Sequence, residues 1–340
     1  MGSSERPVAK PTVLVTRLVP GDWRDRLSLV ADVVTWDEDR PIPRDILMER
    51  IGDVDALYCM LTDRVDADLL DAAARLRAVA TMSVGTDNID LAECTLRGIP
   101  VGNTPDVLTE TTADTAWLLM LASARRAGEG IDVVRDGKWG TWKPGFMLGS
   151  DVHGTTIGIV GLGRIGEAVA RRAQGFSARV LYTARSRKPE AEARLGVAWR
   201  SLADLLAEAD HVVLTVPLTP ETRHLIDSAA LRRMQPHATL INVSRGPIVD
   251  TDALVEALNE GWIGAAGLDV TDPEPIPPDH PLVGMVNCTI LPHIGSASLQ
   301  TRQAMANLAA DDVVAALRGE RMPACANPGV YEISRSEPRG

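Results

Sequence analysis

Along the first hundred residues, short apolar runs alternate with amphipathic or polar stretches. Val13-Leu14-Val15, Val33-Val34, Asp55 to Met60 and Arg77 to Met82 have the length and apolar content of buried strands. Ile46 to Ile51 and Ala67 to Ala74 fall between them and read as helices. Strand and helix in alternation predict a parallel sheet with helices on both faces.

A helix is predicted to begin around Pro105-Asp106, run through Thr111 to Met120, and reach about Arg126, with Gly128 as its stop. Its length would suffice to bridge two domains. Lys138 to Gly149, rich in Gly, Trp and Pro, reads as a loop. A second β-α-β rhythm opens at Thr155 to Val160 and continues in strands at Arg179 to Thr183, His211 to Val216, Thr239 to Val243, Ala265 to Leu268 and Thr289 to Leu291. Closely spaced prolines make 272–278 a stiff loop. The helical pattern from about Ser298 to Arg318 could pack back on the first domain. The expected division is therefore a discontinuous domain of residues 1–104 and 295–340, and a second domain of residues 105–294. At 340 residues the chain is long enough for two cores and a cleft between them.

Composition excludes more than it identifies. With 45% hydrophobic and 24% charged residues the chain is an ordinary α/β candidate. A net charge of −11 and the lack of long basic runs argue against a nucleic-acid partner. The dense apolar run near Ala116 to Ala122 is far short of the roughly 20 residues that span a bilayer, so no membrane partner is expected. Cys59, Cys94, Cys288 and Cys325 are widely spaced and form no metal-ligand pattern, so they read as reduced thiols and no metal is expected. Met1 to Arg6 holds neither an apolar leader nor a myristoylation signal, which points to a cytoplasmic protein.

Candidate chemistry starts at Gly161-Leu162-Gly163-Arg164-Ile165-Gly166, directly after the strand ending at Val160 and before the helical stretch Glu167 to Gln174. Glycines there allow a tight turn, a close approach of pyrophosphate to the backbone, and close helix-strand packing, while the helix N-terminus offers amide donors. The motif in this context predicts dinucleotide binding. NAD-preferring sites of this type carry an acid at the end of the second strand to bind the adenosine ribose. Here the strand runs Leu181-Tyr182-Thr183-Ala184-Arg185-Ser186-Arg187-Lys188, with no carboxylate. Arg185, Ser186 and Arg187 offer two cations and a hydroxyl to a 2′-phosphate, so NADP(H) is predicted over NAD(H), with NAD(H) admitted as the second choice.

Three further runs lie near predicted strand ends: Asn242-Val243-Ser244-Arg245-Gly246, Gly267 to Pro275, and Leu291-Pro292-His293-Ile294-Gly295-Ser296-Ala297. Arg245, Glu274 and His293 are spaced 29 and 19 residues apart. In these runs, and over about Val13 to Leu317, the chain closely resembles the D-isomer-specific 2-hydroxyacid dehydrogenase family. The resemblance implies two doubly wound parallel-sheet domains, a flavodoxin-like substrate domain and a Rossmann dinucleotide-binding domain, with a cleft between them. It implies that Arg245 binds the oxygens of a 2-keto acid or 2-hydroxyacid, that His293 is the proton donor, and that Glu274 supports the second imidazole nitrogen. These residue types suit the tasks: a permanently charged planar fork, a group titrating near neutrality, and an acceptor that orients it. The resemblance also places the substrate carboxylate on backbone amides near Val84 and Gly85, in the run Ser83 to Asp90. It adds Ser296 to the substrate set, and Thr112, Ile165, Val216, Pro217, Ser244, Asp269 and Gly295 to the cofactor set.

Thr141-Trp142-Lys143-Pro144, Leu181 to Arg185 and the Thr271-containing run resemble most the glyoxylate and hydroxypyruvate reductases of the family. In those enzymes a loop tryptophan like Trp142 reaches the neighbouring subunit's active site, which implies a homodimer. Gly145 to Gly149 departs from the pattern and leaves substrate selectivity open. The expected activity is NADPH-dependent reduction of hydroxypyruvate to D-glycerate and of glyoxylate to glycolate. Its rivals are a dehydrogenase of another D-2-hydroxyacid such as 3-phosphoglycerate, and a dinucleotide-sensing corepressor.

Overall fold

The computed structural model describes residues 10–333, so the Met1 to Arg6 segment weighed above for a leader or anchor lies outside the described residues. The chain divides into two compact units, one formed by residues up to Leu108 together with those from Ser298, the other by Thr109–Ala297. Among the described residues no helix is long and apolar enough to cross a membrane.

The first unit carries strands β1 (Thr12–Val15), β2 (Asp32–Thr35), β3 (Ala56–Cys59), β4 (Ala78–Thr81) and β5 (Val101–Gly102), in the order β2-β1-β3-β4-β5. All pairs are parallel, and the order is the flavodoxin-like one. Every residue of β3 and β4 is buried, as a parallel sheet covered on both faces requires. The Leu299–Leu317 helix packs on β3, β4 and the Trp23–Ser28 helix, and the Tyr58 hydroxyl donates to the Ala306 carbonyl at 3.0 Å. Beyond that helix the chain pairs with β5: Asn103 N–H donates to Ala324 O at 3.0 Å, and Ala326 N–H to Val101 O at 2.7 Å.

The second unit carries β6 (Thr156–Val160), β7 (Arg179–Thr183), β8 (Ala198–Trp199), β9 (His211–Leu214), β10 (Thr239–Asn242), β11 (Ala265–Leu268) and β12 (Cys288–Ile290), in the order β12-β11-β10-β9-β6-β7-β8. This parallel sheet reverses direction between β6 and β9, the arrangement of a Rossmann fold. Alternation along the strands separates two cores. Ile157, Ile159, Val213 and Ile241 face the Thr109–Ala124 helix side, while Val160, Val212, Leu214 and Leu240 face the side of Leu205, Leu254 and Leu258. Ser123 Oγ ties the Thr109–Ala124 helix to the sheet through the Ala266 carbonyl at 3.1 Å.

That helix corrects two expectations. It starts at Thr109, not at Pro105-Asp106, because Asp106 takes a left-handed conformation (φ 68°). It ends at Ala124, whose carbonyl accepts from the Ser150 amide at 2.8 Å, and Arg126 is left-handed (φ 52°). Gly128 is therefore not the stop. It lies inside a further helix, Ala127–Arg135, which the sequence pattern did not separate.

Asp312 is fully buried in the first unit; its Oδ1 accepts from the Ala324 amide at 2.8 Å, and its Oδ2 has no hydrogen-bond partner. A side chain at Gly102 would collide with this carboxyl, a Cβ falling 2.6 Å from Oδ2. Burial, with the nearby Asp311 charge adding to it, pushes the Asp312 carboxyl up to about 7. The unfolded chain releases this proton near pH 4, so across the interval up to about pH 7 the folded state binds more protons than the unfolded. Stability contributed by the neutral acid is thus lost as pH rises, by up to ~1.4 kcal/mol per pH unit. Asp312→Asn keeps an acceptor for Ala324 and is expected to remove this decline. Urea unfolding at pH 5.5 and pH 8 checks it: the variant should gain on wild type at the higher pH, and equal pH dependence in both proteins would refute the assignment.

Candidate active site

The glycine turn follows β6 at the edge where strand order reverses. Gly161 has φ +100°, and a Cβ there would stand 2.7 Å from Val216 Cγ1 and 2.9 Å from the Thr215 carbonyl. Gly166 lies within the Arg164–Ala173 helix, where a Cβ would fall 2.3 Å from the Gly161 carbonyl. Helix and strand therefore approach as closely as glycine permits. The helix starts three residues earlier than predicted, which puts Arg164, Ile165 and Gly166 in its first turn. Gly163 is its N-cap and supplies no side-chain cap, and the space a Cβ would take there is open. Uncapped first-turn amides beside open space fit a pyrophosphate. Thr215 Oγ1 donates to the Gly161 carbonyl at 2.5 Å, and Val216 and Pro217 continue from there at the same edge.

Arg185, Ser186 and Arg187 follow β7 and are exposed. Arg187 donates through Nε to Glu192 Oε1 at 2.8 Å and through Nη2 to Oε2 at 2.9 Å. Glu192 had no place in the sequence reading.

Arg245, Glu274 and His293 lie in the loops that leave β10, β11 and β12, three neighbouring parallel strands. Parallel pairing delivers all three loops to one edge. Asn242, the last residue of β10, holds the first loop: its Nδ2 donates to the Arg245 carbonyl at 2.8 Å and its Oδ1 accepts from the Ser244 amide at 3.0 Å. Ser244 Oγ donates to the Leu214 carbonyl at 3.0 Å. Gly246 brings the first loop against the second, since a Cβ there would overlap the Thr271 carbonyl at 1.9 Å.

Glu274 Oε1 accepts from His293 Nδ1 at 2.6 Å. Burial pushes the Glu274 carboxyl up, but the His293 hydrogen bond and charge, the Thr271 amide and the Arg245 charge outweigh it and leave the carboxyl lowered. An ionised Glu274 can only accept, so Nδ1 carries the proton in this pair. Nε2, on the far side of the ring, is left for other chemistry.

The backbone of His293 is left-handed (φ 54°), and its amide donates to the Asp269 carbonyl at 2.8 Å. The buried Asp269 carboxylate accepts from the Ile294 amide at 2.8 Å and the Gly295 amide at 2.7 Å. Burial pushes this carboxyl up despite those two bonds. Asp269 thus grips the loop that carries His293. Thr112 is buried next to Gly295, and Thr115 Oγ1 contacts the Gly295 carbonyl at 3.4 Å. Ser296 follows, half-buried.

In the first unit, the loop after β4 holds Val84 and Gly85. Their carbonyls accept from Asn103 Nδ2 at 2.9 Å and Ser83 Oγ at 2.5 Å, and no hydrogen bond among the described residues engages their amides. Trp142 is 77% exposed in the 138–149 loop, and among the described residues no hydrogen bond joins it to His293. Among the described residues no group of three or more His, Cys, Asp or Glu side chains could hold a metal. A cavity of about 510 Å³ lies at the opposite strand ends, lined by Thr239 and Ala265, the first residues of β10 and β11, and is separate from this chemistry.

A Rossmann sheet with an uncapped glycine turn, and an arginine, a histidine and its carboxylate on neighbouring strand ends, define a nicotinamide-dependent oxidoreductase. The chain belongs to the D-isomer-specific 2-hydroxyacid dehydrogenase family: residues 117–295 match its NAD-binding domain. It is 50% identical over 330 residues to a glyoxylate reductase of Thermococcus kodakarensis, covering 96% of this chain and 99% of that one. Among solved structures it is similar to the TT0316 protein of Thermus thermophilus, with TM-score 0.87 and 46% identity over 93% of this chain and 99% of that one. An NADPH-dependent glyoxylate/hydroxypyruvate reductase of Sinorhizobium meliloti, in complex with NADP and malonate, gives TM-score 0.80 and 33% identity over 94% and 97% of the two chains.

Asp269→Ala leaves the buried Gly295 amide and the part-buried Ile294 amide without their acceptor and is expected to cost about 1–3 kcal/mol of stability. It should also lower turnover more than tenfold by releasing His293. Urea unfolding and initial rates check this, and a variant with wild-type kcat would show that the loop holds itself.

Proposed function

We propose that the protein is an NADPH-dependent reductase of small 2-keto acids, converting glyoxylate to glycolate and hydroxypyruvate to D-glycerate. The observation that carries this is the 2.6 Å bond between His293 Nδ1 and Glu274, with the Arg245 charge acting on the same carboxylate. Arg245 is proposed to hold the keto-acid oxygens and polarise the carbonyl. His293 gives its Nε2 proton to the carbonyl oxygen, while Glu274 fixes the ring. When bound, the reduced nicotinamide supplies the hydride to the carbonyl carbon. One proton and one hydride account for the alcohol formed; in the reverse direction neutral His293 takes the proton back. Val84 and Gly85 are proposed to receive the substrate carboxylate on their amides, with Ser296 completing the substrate set.

The glyoxylate reductases at about half identity support the substrate class. Gly161, Gly163, Arg164, Ile165 and Gly166 are proposed to seat the pyrophosphate, with Thr112, Val216, Pro217, Ser244, Asp269 and Gly295 completing the cofactor set. Preference for NADPH rests on the cationic, acid-free 184–188 segment, and the Sinorhizobium relative bound to NADP is consistent with it. A homodimer is proposed from the apolar surface of Leu118, Ile131, Val134, Trp139 and Trp142, each at least 50% exposed, with Trp142 reaching the partner's site. Four free cysteines suit a reducing cytoplasm.

Initial rates for a panel of 2-keto acids, each with NADH and NADPH, test the reading. Glyoxylate and hydroxypyruvate with NADPH should lead; a preference for a phosphorylated substrate, or negligible turnover of every acid, would favour the rivals named earlier. His293→Ala and Arg245→Ala are each expected to cut turnover by about 10²–10⁴ without unfolding the protein. Trp142→Ala is expected to raise KM for hydroxypyruvate, and sedimentation of wild type should give twice the monomer mass.

A further inference from the structure

The 2′-phosphate reading rests on the absence of a carboxylate from the segment that leaves β7. Folding restores one. Glu192, from the Pro189–Leu195 helix, places both carboxylate oxygens on Arg187, at 2.8 and 2.9 Å, and accepts from the Tyr182 hydroxyl at 2.7 Å. That hydroxyl accepts in turn from the Lys188 amide at 2.7 Å, and Tyr182 is otherwise fully buried. Glu192 is therefore held from below by a core residue and from above by the loop cation. Its side chain is 17% exposed against 66% for Arg187, so the acid sits beneath the guanidinium.

We propose that Glu192 is a specificity-determining residue, a carboxylate clamp on Arg187 that offsets the cation and moderates discrimination between NADPH and NADH. The inference rests on the reading of Arg185 and Arg187 as the 2′-phosphate site. The clamp uses the Nε–Nη2 edge of the guanidinium and leaves its Nη1 end directed away from the carboxylate. A phosphate can meet that end, but it meets a cation already paired with one negative charge. A 2′-phosphate carries between one and two negative charges at neutral pH, so the Glu192 charge opposes it directly. NADH, with a ribose hydroxyl at that position, feels no such opposition. The clamp thus keeps the second cofactor usable while Arg185 and Arg187 favour the first. It also fixes Arg187 in one rotamer.

Glu192→Gln retains the shape and an oxygen for Tyr182 while removing the charge. Calorimetric titration with 2′,5′-ADP and with ADP reads the effect directly, and kcat/KM with NADPH and NADH reads it in turnover. The expected result is tighter 2′,5′-ADP binding by about two- to fivefold, with a matching rise in the NADPH to NADH ratio. The gain should shrink at high salt, and it should vanish in an Arg187→Ala background. Glu192→Ala, which removes the same charge without an amide, should move both readouts the same way, and thermal unfolding confirms that each variant is folded. The clamp is refuted if 2′,5′-ADP affinity is unchanged or weaker in both Glu192 variants while Arg185→Ala and Arg187→Ala weaken it; the loop then binds the phosphate without regulation by Glu192. If neither arginine variant alters 2′,5′-ADP affinity, the phosphate site itself is elsewhere and both readings fall.

Discussion

A parallel strand releases its chain at the same edge as its neighbour, and the second unit is built on that constraint. β6 and β9 are paired neighbours at the reversal of strand order, where the segments that leave them diverge and open the crevice beside the glycine turn. β10, β11 and β12 then deliver Arg245, Glu274 and His293 in succession to the same edge. No long-range coincidence is needed to bring residues 29 and 19 apart in sequence together. Each is a few residues beyond the end of an adjacent strand, so the register of the ladder sets their spacing in space. Precision comes from a second layer. Asn242 holds the loop of Arg245 and Asp269 the loop of His293, each from the end of the strand or the position after it.

Charge at the site is paired within the protein. Glu274 is matched to His293, Asp269 to two backbone amides, and Glu192 to Arg187. Pairing matters because a partly buried charge without a partner loses its hydration and recovers nothing. It also lets each group do one thing only. Glu274, kept ionised by His293 and Arg245, can orient the imidazole but cannot compete as a proton donor. Asp269 gives one oxygen to each of two successive amides of the loop that carries His293, and so sets the position of that loop.

Much of this was legible in sequence because the signals were local. The strand-glycine-helix run placed the dinucleotide turn to within three residues, and the alternation of apolar runs located both sheets. The errors arose where a distant residue decided the outcome. Nothing near Ala124 in sequence shows that Ser150 will cap its carbonyl, so the end of the Thr109–Ala124 helix was misplaced and the Ala127–Arg135 helix went unseen. The hold of Asp269 on the loop of His293 was likewise invisible in sequence, since its partners, the amides of residues 294 and 295, lie 25 and 26 positions away. Glu192 is a subtler case. It is only five residues from Arg187, but a strand-end rule looks for an acid on the loop, not for one rising beneath it from the next helix.

The Glu192 geometry changes what absence of an acid means in such folds. An acid at the strand end acts by accepting from ribose hydroxyls and repelling a phosphate. An acid on the following helix, facing the loop cation from the protein side, cannot reach the ribose in the same way but still contributes its charge. Local potential at the adenosine end then includes Glu192 beside Arg187 and Glu221, which the Arg185 charge reaches, a balance that differs from the cationic one the segment suggests by itself. The buried Tyr182 ties the Glu192 carboxylate to the end of β7 through its hydroxyl. The proposed opposition would therefore come from an acid hydrogen-bonded to a buried strand residue and not from an unanchored surface chain, which distinguishes a bias on cofactor choice from simple neutralisation of an exposed cation.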